Sequence, residues 1–355
     1  MTNPANLLAV LVGPKQFELQ NRPLLDSPLK DDEVIVQVIS TGICGSDFHT
    51  WTVGLPSPVA LGHESAGVIV ELGSGVKDRS VGERVVIEPG YPCLKCYFCI
   101  RGQPNTCSNM KHFSIPPTDG TLCKYVRITA IMAVPIKDTV SWIEAGCVQP
   151  LAVAVQLGRR ANIRAHQTIV VFGCGALGLL IMAVCKAYGA KRVVAFDIEQ
   201  SRVDFAVKHY ATDGFLVPRD IQGDSMAFAK EFMTARLKEL GLSFGVDVAI
   251  EVTGAESALQ MGFASLRAGG TYVQTGLQHK PPRVPMLQVT TKDLTIVGTV
   301  RYTPGCFEDA VDLVDRKLVD VSPLVTSTYP LTKTQDAFEA QSRRGDIKIV
   351  IMNQE

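Results

Sequence analysis

The sequence predicts an α/β protein, a doubly wound parallel sheet accompanied by a mostly β unit, and three observations predict it. Strand-like runs alternate with helix-length apolar patterns between residues 168 and 300. One of those strands ends in a glycine-rich turn that opens a helix. Nearly all clustered cysteine and histidine residues fall within the first 150 positions, among short β-like runs and long loops. A chain of 355 residues exceeds what one ordinary core serves, so two domains are expected.

Residues 33–40 (EVIVQVIS) and 66–71 (AGVIVE) run apolar or alternate, and Gly73-Ser74-Gly75 interrupts them, as strands and a turn should. From about Leu151 the texture changes. Residues 151–158 read as a helix, 168–172 as a strand, 176–188 as a helix, 192–196 as a strand ending at Asp197, and 200–210 as a helix. Further strands are expected at 246–252, 271–275 and 294–300. Strands separated by helices of this length imply right-handed βαβ units and a parallel sheet covered on both faces. The last stretch turns mixed and closes on the apolar strand 347–352. The expected domains are therefore 1–150 with 290–355, and 151–289, with no internal repeat.

Composition narrows the function classes. Basic and acidic residues balance at 35 each, and no Lys/Arg stripe stands out, so neither nucleic acid nor an anionic membrane is an expected partner. The apolar run Leu177 to Cys185 falls short of the roughly 20 residues a bilayer span needs, and reads as a buried helix. The opening MTNPANLLAVLVGPK lacks a basic n-region and an h-region, so a cytoplasmic location is expected. Ten cysteines in such a chain read as metal ligands plus core thiols rather than a disulfide framework. Cys123, Cys174, Cys185 and Cys306 are expected to be packing residues. His166, His209, His279 and Glu144 are expected at the surface, and Trp51 either in the core or lining a cleft.

The segment Gly173-Cys174-Gly175-Ala176-Leu177-Gly178 is a GxGxxG directly after a strand and at the start of a helix. The first glycine permits the tight turn, the second lets backbone approach a pyrophosphate, and the third allows close helix–strand packing. Asp197 follows nineteen residues after Gly178, at the end of the next strand. A carboxylate there accepts bonds from ribose hydroxyls and repels a 2′-phosphate, so NAD is expected over NADP. Arg202 lies near the same site, too far along its helix to reverse that preference.

Cys93, Cys96, Cys99 and Cys107 follow Cx2Cx2Cx7C in a loop marked by Pro92, Gly102 and Pro104. Four thiolates can close a tetrahedral shell around zinc with no position left for substrate, which makes the site structural. On spacing alone an iron–sulfur cluster competes. A second set is dispersed: Cys44 in GICGSDFHTW, and His63-Glu64 in GHE. Thiolate plus imidazole suits zinc, and three protein ligands leave a position for water or an alcohol oxygen.

Together, GICGSDFHTW, LGHESAGVIVELGSGV, VGERVVIEPG, the four-cysteine loop, VFGCGALGLL and VVAFD resemble the zinc-dependent medium-chain dehydrogenases across essentially the whole chain. GHE, VIEPG, PPTDGTL and Arg301-Tyr302 are similar to the sorbitol/xylitol branch. The resemblance implies a GroES-like catalytic domain, formed by the N-terminal part and the C-terminal tail, beside the Rossmann domain. It places Cys44, His63 and Glu64 on the catalytic zinc, Ser46 on the hydroxyl that passes the substrate proton onward, and His49 as a relay to solvent. It implies hydride transfer between a secondary alcohol or polyol and NAD, zinc as Lewis acid, a small alcohol or ketone as partner, and a homodimer or homotetramer.

Three positions depart from that branch. Gln149 stands where it carries glutamate, in Cys147-Val148-Gln149-Pro150; Thr50 stands where it carries tyrosine; and Lys111-His112-Phe113 replaces an aromatic pattern. Thr50, His112, Arg301 and Tyr302 are the expected substrate contacts, and Gln149 the altered catalytic position. A neutral amide cannot serve as an anionic ligand. The alternative reading is therefore a divergent member in a biosynthetic pathway, reducing or isomerising a less polar substrate with an altered catalytic zinc.

Overall fold

The computed structural model describes residues 5–24, 27–277, 280–343 and 345–355. The chain divides into two compact units: residues up to Ala152 together with Thr303–Glu355, and Val153–Tyr302.

The second unit is a parallel sheet of six strands, numbered here β1 (Thr168–Phe172), β2 (Arg192–Asp197), β3 (Asp213–Leu216), β4 (Val246–Glu251), β5 (Leu266–Gln274) and β6 (Thr295–Gly298). Their spatial order is 3-2-1-4-5-6, every neighbour parallel. The order reverses between β1 and β4, and in such sheets ligands settle outside the carboxyl ends of the strands at that reversal. Helices α1 (Ala176–Ala187), α2 (Gln200–His209), α3 (Ser225–Glu239), α4 (Glu256–Ser265) and α5 (Met286–Thr291) connect the strands. All five residues of β1 are buried, the mark of a strand covered on both faces. Phe172 stacks on Phe196 at 5.0 Å and Phe263 on Tyr272 at 4.2 Å, anchoring an aliphatic core around Val170, Val194 and Met233. The sheet continues through β6, so this unit ends at Tyr302, beyond the expected residue 289.

In the first unit, the strand Glu33–Gly42 is central. It pairs antiparallel with Glu64–Leu72 on one side. Its first half also pairs with Tyr125–Thr129, and its last three residues with Lys348–Met352. The strand from the far end of the sequence is thereby built into the sheet. Asn353, just beyond it, donates to the carbonyls of Thr121 and Cys123 at 2.8 Å and accepts from Thr41, all buried. One apolar cluster gathers Val36, Ile69, Val85 and Ile128; another gathers Leu11, Leu61, Phe338 and Ile351. Trp51 belongs to the second cluster, against Phe48 and Phe338, and is a core residue.

Several surface expectations need correction. Glu144 is buried: it closes a capping box with Ser141 at the start of Trp142–Ala145 and accepts from Lys317. His209 is half-buried with its ring on Phe205 at 4.5 Å, whereas His166 is exposed. His279 lies outside the described residues. Cys123, Cys174, Cys185 and Cys306 are buried. Among the described residues no helix is long and apolar enough to cross a membrane.

Candidate active site and metal centres

The catalytic-metal candidates meet where the central strand of the first unit runs out. Gly42 lies opposite Glu64 on one neighbouring strand and Val350 on the other. Cys44 follows as the N-cap of the helix Gly45–Val53. The ligand atoms of Cys44, His63 and Glu64 consequently all lie within 4.8 Å of one another, with His63 and Glu64 buried and Cys44 half-buried.

Two residues that the sequence reading did not single out complete this cluster. Asp47, in the first turn of the helix and buried, places Oδ2 3.2 Å from His63 Nδ1. Burial opposes both charges, yet His63 holds the Asp47 carboxyl below its ordinary range, and Asp47 and Cys44 raise His63 well above the ordinary imidazole value. With Nδ1 facing the Asp47 carboxylate, Nε2 is the nitrogen left for a metal. Lys348 donates to Glu64 Oε2 and, at 3.0 Å, to the carbonyl of Ile43. Both side chains of that ion pair are almost wholly buried, 3% and 2% exposed. Gly42 makes the pairing possible, because a Cβ there would fall 2.5 Å from Glu64 Oε2 and 2.8 Å from Lys348 Cε.

Around the cluster, Ser46 Oγ donates to Cys44 Sγ at 3.2 Å and is exposed, as is His49 on the same helix. Thr50 is half-buried. His112 brings its ring edge-on to His63, centroids 5.4 Å apart, with Nδ1 2.7 Å from the Phe113 carbonyl. Gln149 is buried, and it sits inside the helix Val148–Ala161 rather than ahead of it. Pro150 is tolerated there because first-turn positions need no intrahelical N–H bond. Burial pushes the Cys147 thiol up to about 12, with Lys348 and Glu64 acting on it in opposite senses. Arg301 and Tyr302 belong to the other unit.

The four-cysteine loop brings its sulfurs equally close, all within 4.8 Å. Cys96 Sγ lies 3.5 Å from that of Cys99 and 3.9 Å from that of Cys107. A tetrahedron of Zn–S bonds near 2.3 Å has S···S edges of about 3.8 Å, whereas a disulfide would need about 2.05 Å. The amides of Cys93 and Asn109 donate to Cys107 Sγ at 3.3 and 3.4 Å. The backbone amide of Cys99 draws the Cys96 thiol down to about 6, while burial and the neighbouring sulfurs push Cys99 up to about 12. Sulfurs so placed ionise together only when a cation joins them.

In the second unit, Gly173 (φ +108°) turns the chain out of β1, and its amide donates to the Phe196 carbonyl at 2.8 Å. Gly178 permits the close approach, since a Cβ there would fall 1.9 Å from the Gly173 carbonyl oxygen. A Cβ on Gly175 would meet nothing within 4 Å, so the turn faces open space at the N-terminus of α1, where Ala176 and Leu177 form the first turn. That geometry suits a pyrophosphate. Asp197 is pinned at the tip of β2: Oδ2 accepts from the Cys174 amide at 2.7 Å and Oδ1 from the Glu199 amide at 3.0 Å. Arg202 is half-buried and near enough to act on Cys174.

Comparison with known proteins agrees with this geometry. Residues 30–138 match the alcohol dehydrogenase GroES-like domain and residues 176–316 the zinc-binding dehydrogenase domain. D-xylulose reductase A of Aspergillus niger is 38% identical over 358 residues, covering 99% of this chain and 97% of that one. Among solved structures, L-idonate 5-dehydrogenase of Escherichia coli superposes with a TM-score of 0.86 at 25% identity, covering 99% of each chain. 2R,3R-butanediol dehydrogenase of Bacillus subtilis gives 0.85 at 25% identity, covering 98% of this chain and 100% of that one. The chain belongs to the zinc-dependent medium-chain dehydrogenases, on their polyol branch.

This dehydrogenase is thus an oxidoreductase with a GroES-like unit and a Rossmann unit, using a nucleotide cofactor and zinc on a small-molecule substrate. Both donor sets fit a soft divalent cation: four sulfurs within 4.8 Å of one another, and a thiol, an imidazole and a carboxylate with a second carboxylate 3.2 Å behind the imidazole. Sequence reasoning named the candidate ligands that gather here in the dehydrogenase but missed Asp47 and Lys348. A signal existed for the second, a lysine inside the otherwise apolar run IKIVIM.

Proposed function

We propose that this dehydrogenase interconverts a short polyol and its ketose, with NAD taking the hydride and zinc held by Cys44, His63 and Glu64. One observation carries the reading: three ligand atoms converge with Asp47 and Lys348 behind them. The relative named D-xylulose reductase A suggests the substrate class. Zinc bound there supplies Lewis acidity to an alcohol oxygen. Asp47 orients the His63 ring, and Lys348 offsets the Glu64 charge so that the site is not over-anionic. Ser46, exposed beside Cys44, takes the substrate proton, and His49 on the same helix passes it to water. Asp197, fixed by two backbone amides, receives the adenosine ribose and disfavours a 2′-phosphate.

The reading extends to assembly and compartment. β6 is the edge of its sheet, with Ile296 exposed and no lysine or proline on the strand to blunt pairing, which supports a homo-oligomer through that edge. Ten cysteines with no disulfide among the described residues support a reducing, cytoplasmic setting.

Zinc-loaded enzyme, assayed at the NADH band with xylitol and NAD and with D-xylulose and NADH, should turn over in both directions. No dinucleotide-coupled turnover of any polyol–ketose pair above a zinc-free control would overturn the reading. A second reading is favoured by the buried Gln149 and by His112 against His63: a divergent enzyme acting on a less polar substrate. It predicts that simple secondary alcohols or ketones outperform every polyol in the same screen.

A further inference from the structure

Glu251, the last residue of β4, is wholly buried and gathers five hydrogen bonds on its side chain. Oε1 accepts from the Thr253 amide at 2.5 Å, from the Thr253 hydroxyl, and from the Gly254 amide at 3.0 Å. Oε2 accepts from the Gly254 amide at 3.1 Å and from Gln274 Nε2 at 2.7 Å. Its backbone carbonyl accepts from the amides of Thr275 and Gly276 at 3.0 and 3.1 Å. Gln274 in turn accepts from Tyr272 Oη at 2.5 Å and donates to the Gly276 carbonyl. One residue therefore ties together the two turns that leave the carboxyl ends of β4 and β5.

Those turns are pressed against each other and against the glycine turn. A Cβ on Gly276 would fall 2.1 Å from the Gly254 nitrogen, and one on Gly254 (φ +77°) 2.2 Å from the Leu277 carbonyl oxygen. A Cβ on Gly173 would fall 2.7 Å from Thr253 Cγ2 and 2.9 Å from Val252 Cγ2. In a sheet ordered 3-2-1-4-5-6 a dinucleotide lies across the reversal. Its adenosine half goes to the β2 side, where Asp197 stands, and its other half to the β4 and β5 side.

The geometry points to Glu251 as a positioning residue for the nicotinamide half of the cofactor: it sets the Val252–Thr253–Gly254 and Thr275–Gly276–Leu277 turns that wall that half. This inference rests on the nucleotide-binding reading above. Only a carboxylate presents acceptors in both directions here. A glutamine at this position, whichever way its amide is turned, sets an NH2 group against either the Thr253 and Gly254 donors or the Gln274 amide.

The test measures the dissociation constants of NADH and of AMP for the full-length, zinc-loaded enzyme and for Glu251→Gln, with a thermal melt of each. Glu251→Gln should weaken NADH roughly tenfold or more while AMP, which uses only the Asp197 side, changes less than about twofold. Should that variant not fold, Gln274→Met removes one link to Oε2 and should give a smaller NADH-selective loss. Equal losses for NADH and AMP, or no NADH loss in either folded variant, overturn the assignment. Failure of AMP to bind the native enzyme would instead sink the nucleotide-site reading on which it rests.

Discussion

Replacing Lys348 by methionine, close in length but uncharged, would strip the Glu64 carboxylate of its buried partner. The pair is almost wholly excluded from water, and removing one member of such a pair costs about 3–5 kcal/mol because the other charge is left uncompensated. That cost applies fully to the zinc-free protein. When zinc is bound at Glu64 the cation itself compensates the carboxylate, and the penalty should shrink to about 1 kcal/mol, the lost bond to the Ile43 carbonyl. Closing the thermodynamic cycle, zinc must bind Lys348→Met about 2–4 kcal/mol more tightly, a gain of roughly thirty- to several-hundred-fold. For a unit of this size, each kcal/mol moves the midpoint by about 2–4 °C, so the zinc-free variant should melt roughly 6–20 °C below zinc-free wild type. The loaded forms should differ by only a few degrees. Thermal melts of both proteins, loaded and stripped, with a chelator competition for affinity, check this; unloading of the four-cysteine loop is common to both and cancels. Equal losses in the two metal states, or weaker zinc binding by the variant, would refute the view that Lys348 and zinc share the neutralisation of Glu64.

Four further outcomes are expected. Burial, then the neighbouring charge of Glu308, pushes the Glu88 carboxyl up to about 7. A raised carboxyl value means the native state keeps a proton that the unfolded chain has released, so stability should fall as pH rises from about 4.5 to 7. Denaturant unfolding at pH 5 to 8 should show Glu88→Gln flattening that slope and gaining up to about 3 kcal/mol at pH 8; an unchanged slope would remove Glu88 as its source. Cys96→Ser should drop zinc from two to one per chain and lower the melting temperature before it affects turnover, whereas iron with a visible absorption band in the native protein would exclude zinc in that loop. Asp197→Ser should narrow the preference for NAD over NADP by about ten- to a hundredfold in binding assays; tighter binding of NADP by the native enzyme would defeat the premise. Gln149→Glu should raise zinc retention under chelator challenge and shift the substrate profile toward polyols, and a variant unchanged in both respects would make Gln149 a packing residue only.

What could be read from the sequence was whatever depends on local spacing. The glycine turn, Asp197 and the strands on either side of β1 follow from patterns within thirty residues, and the four cysteines from a fifteen-residue loop. Several helices escaped, and two of them show why. Glu256–Ser265 is buried nearly all round, with Gly262 pressed to the Tyr272 ring, so it shows no amphipathic stripe; Ser225–Glu239 follows a loop whose only strong signal is its N-cap, Asp224. Glu144 read as a surface residue because a capping box buries a carboxylate for reasons that composition does not reveal. Asp47 and Glu251 were invisible in their roles for the same underlying cause, and Lys348 showed only as a charge inside an apolar run, with nothing to name its partner. A buried charge is tolerated only by its partner, and the partner of Glu64 is 284 positions away.

That separation has a kinetic and thermodynamic side. The Glu64–Lys348 contact closes a loop containing the entire Rossmann unit, Val153–Tyr302. With that unit unfolded, drawing the ends of a 150-residue coil together costs roughly 4 kcal/mol. Once folded, it presents its two ends at one fixed separation, and only the flanking segments still need ordering. The last strand should therefore join the metal centre after the nucleotide unit has formed. Nucleotide, by holding that unit folded, should slow hydrogen exchange in Lys348–Met352 through chain connectivity alone; exchange rates there that ignore added nucleotide would show that the strand docks independently.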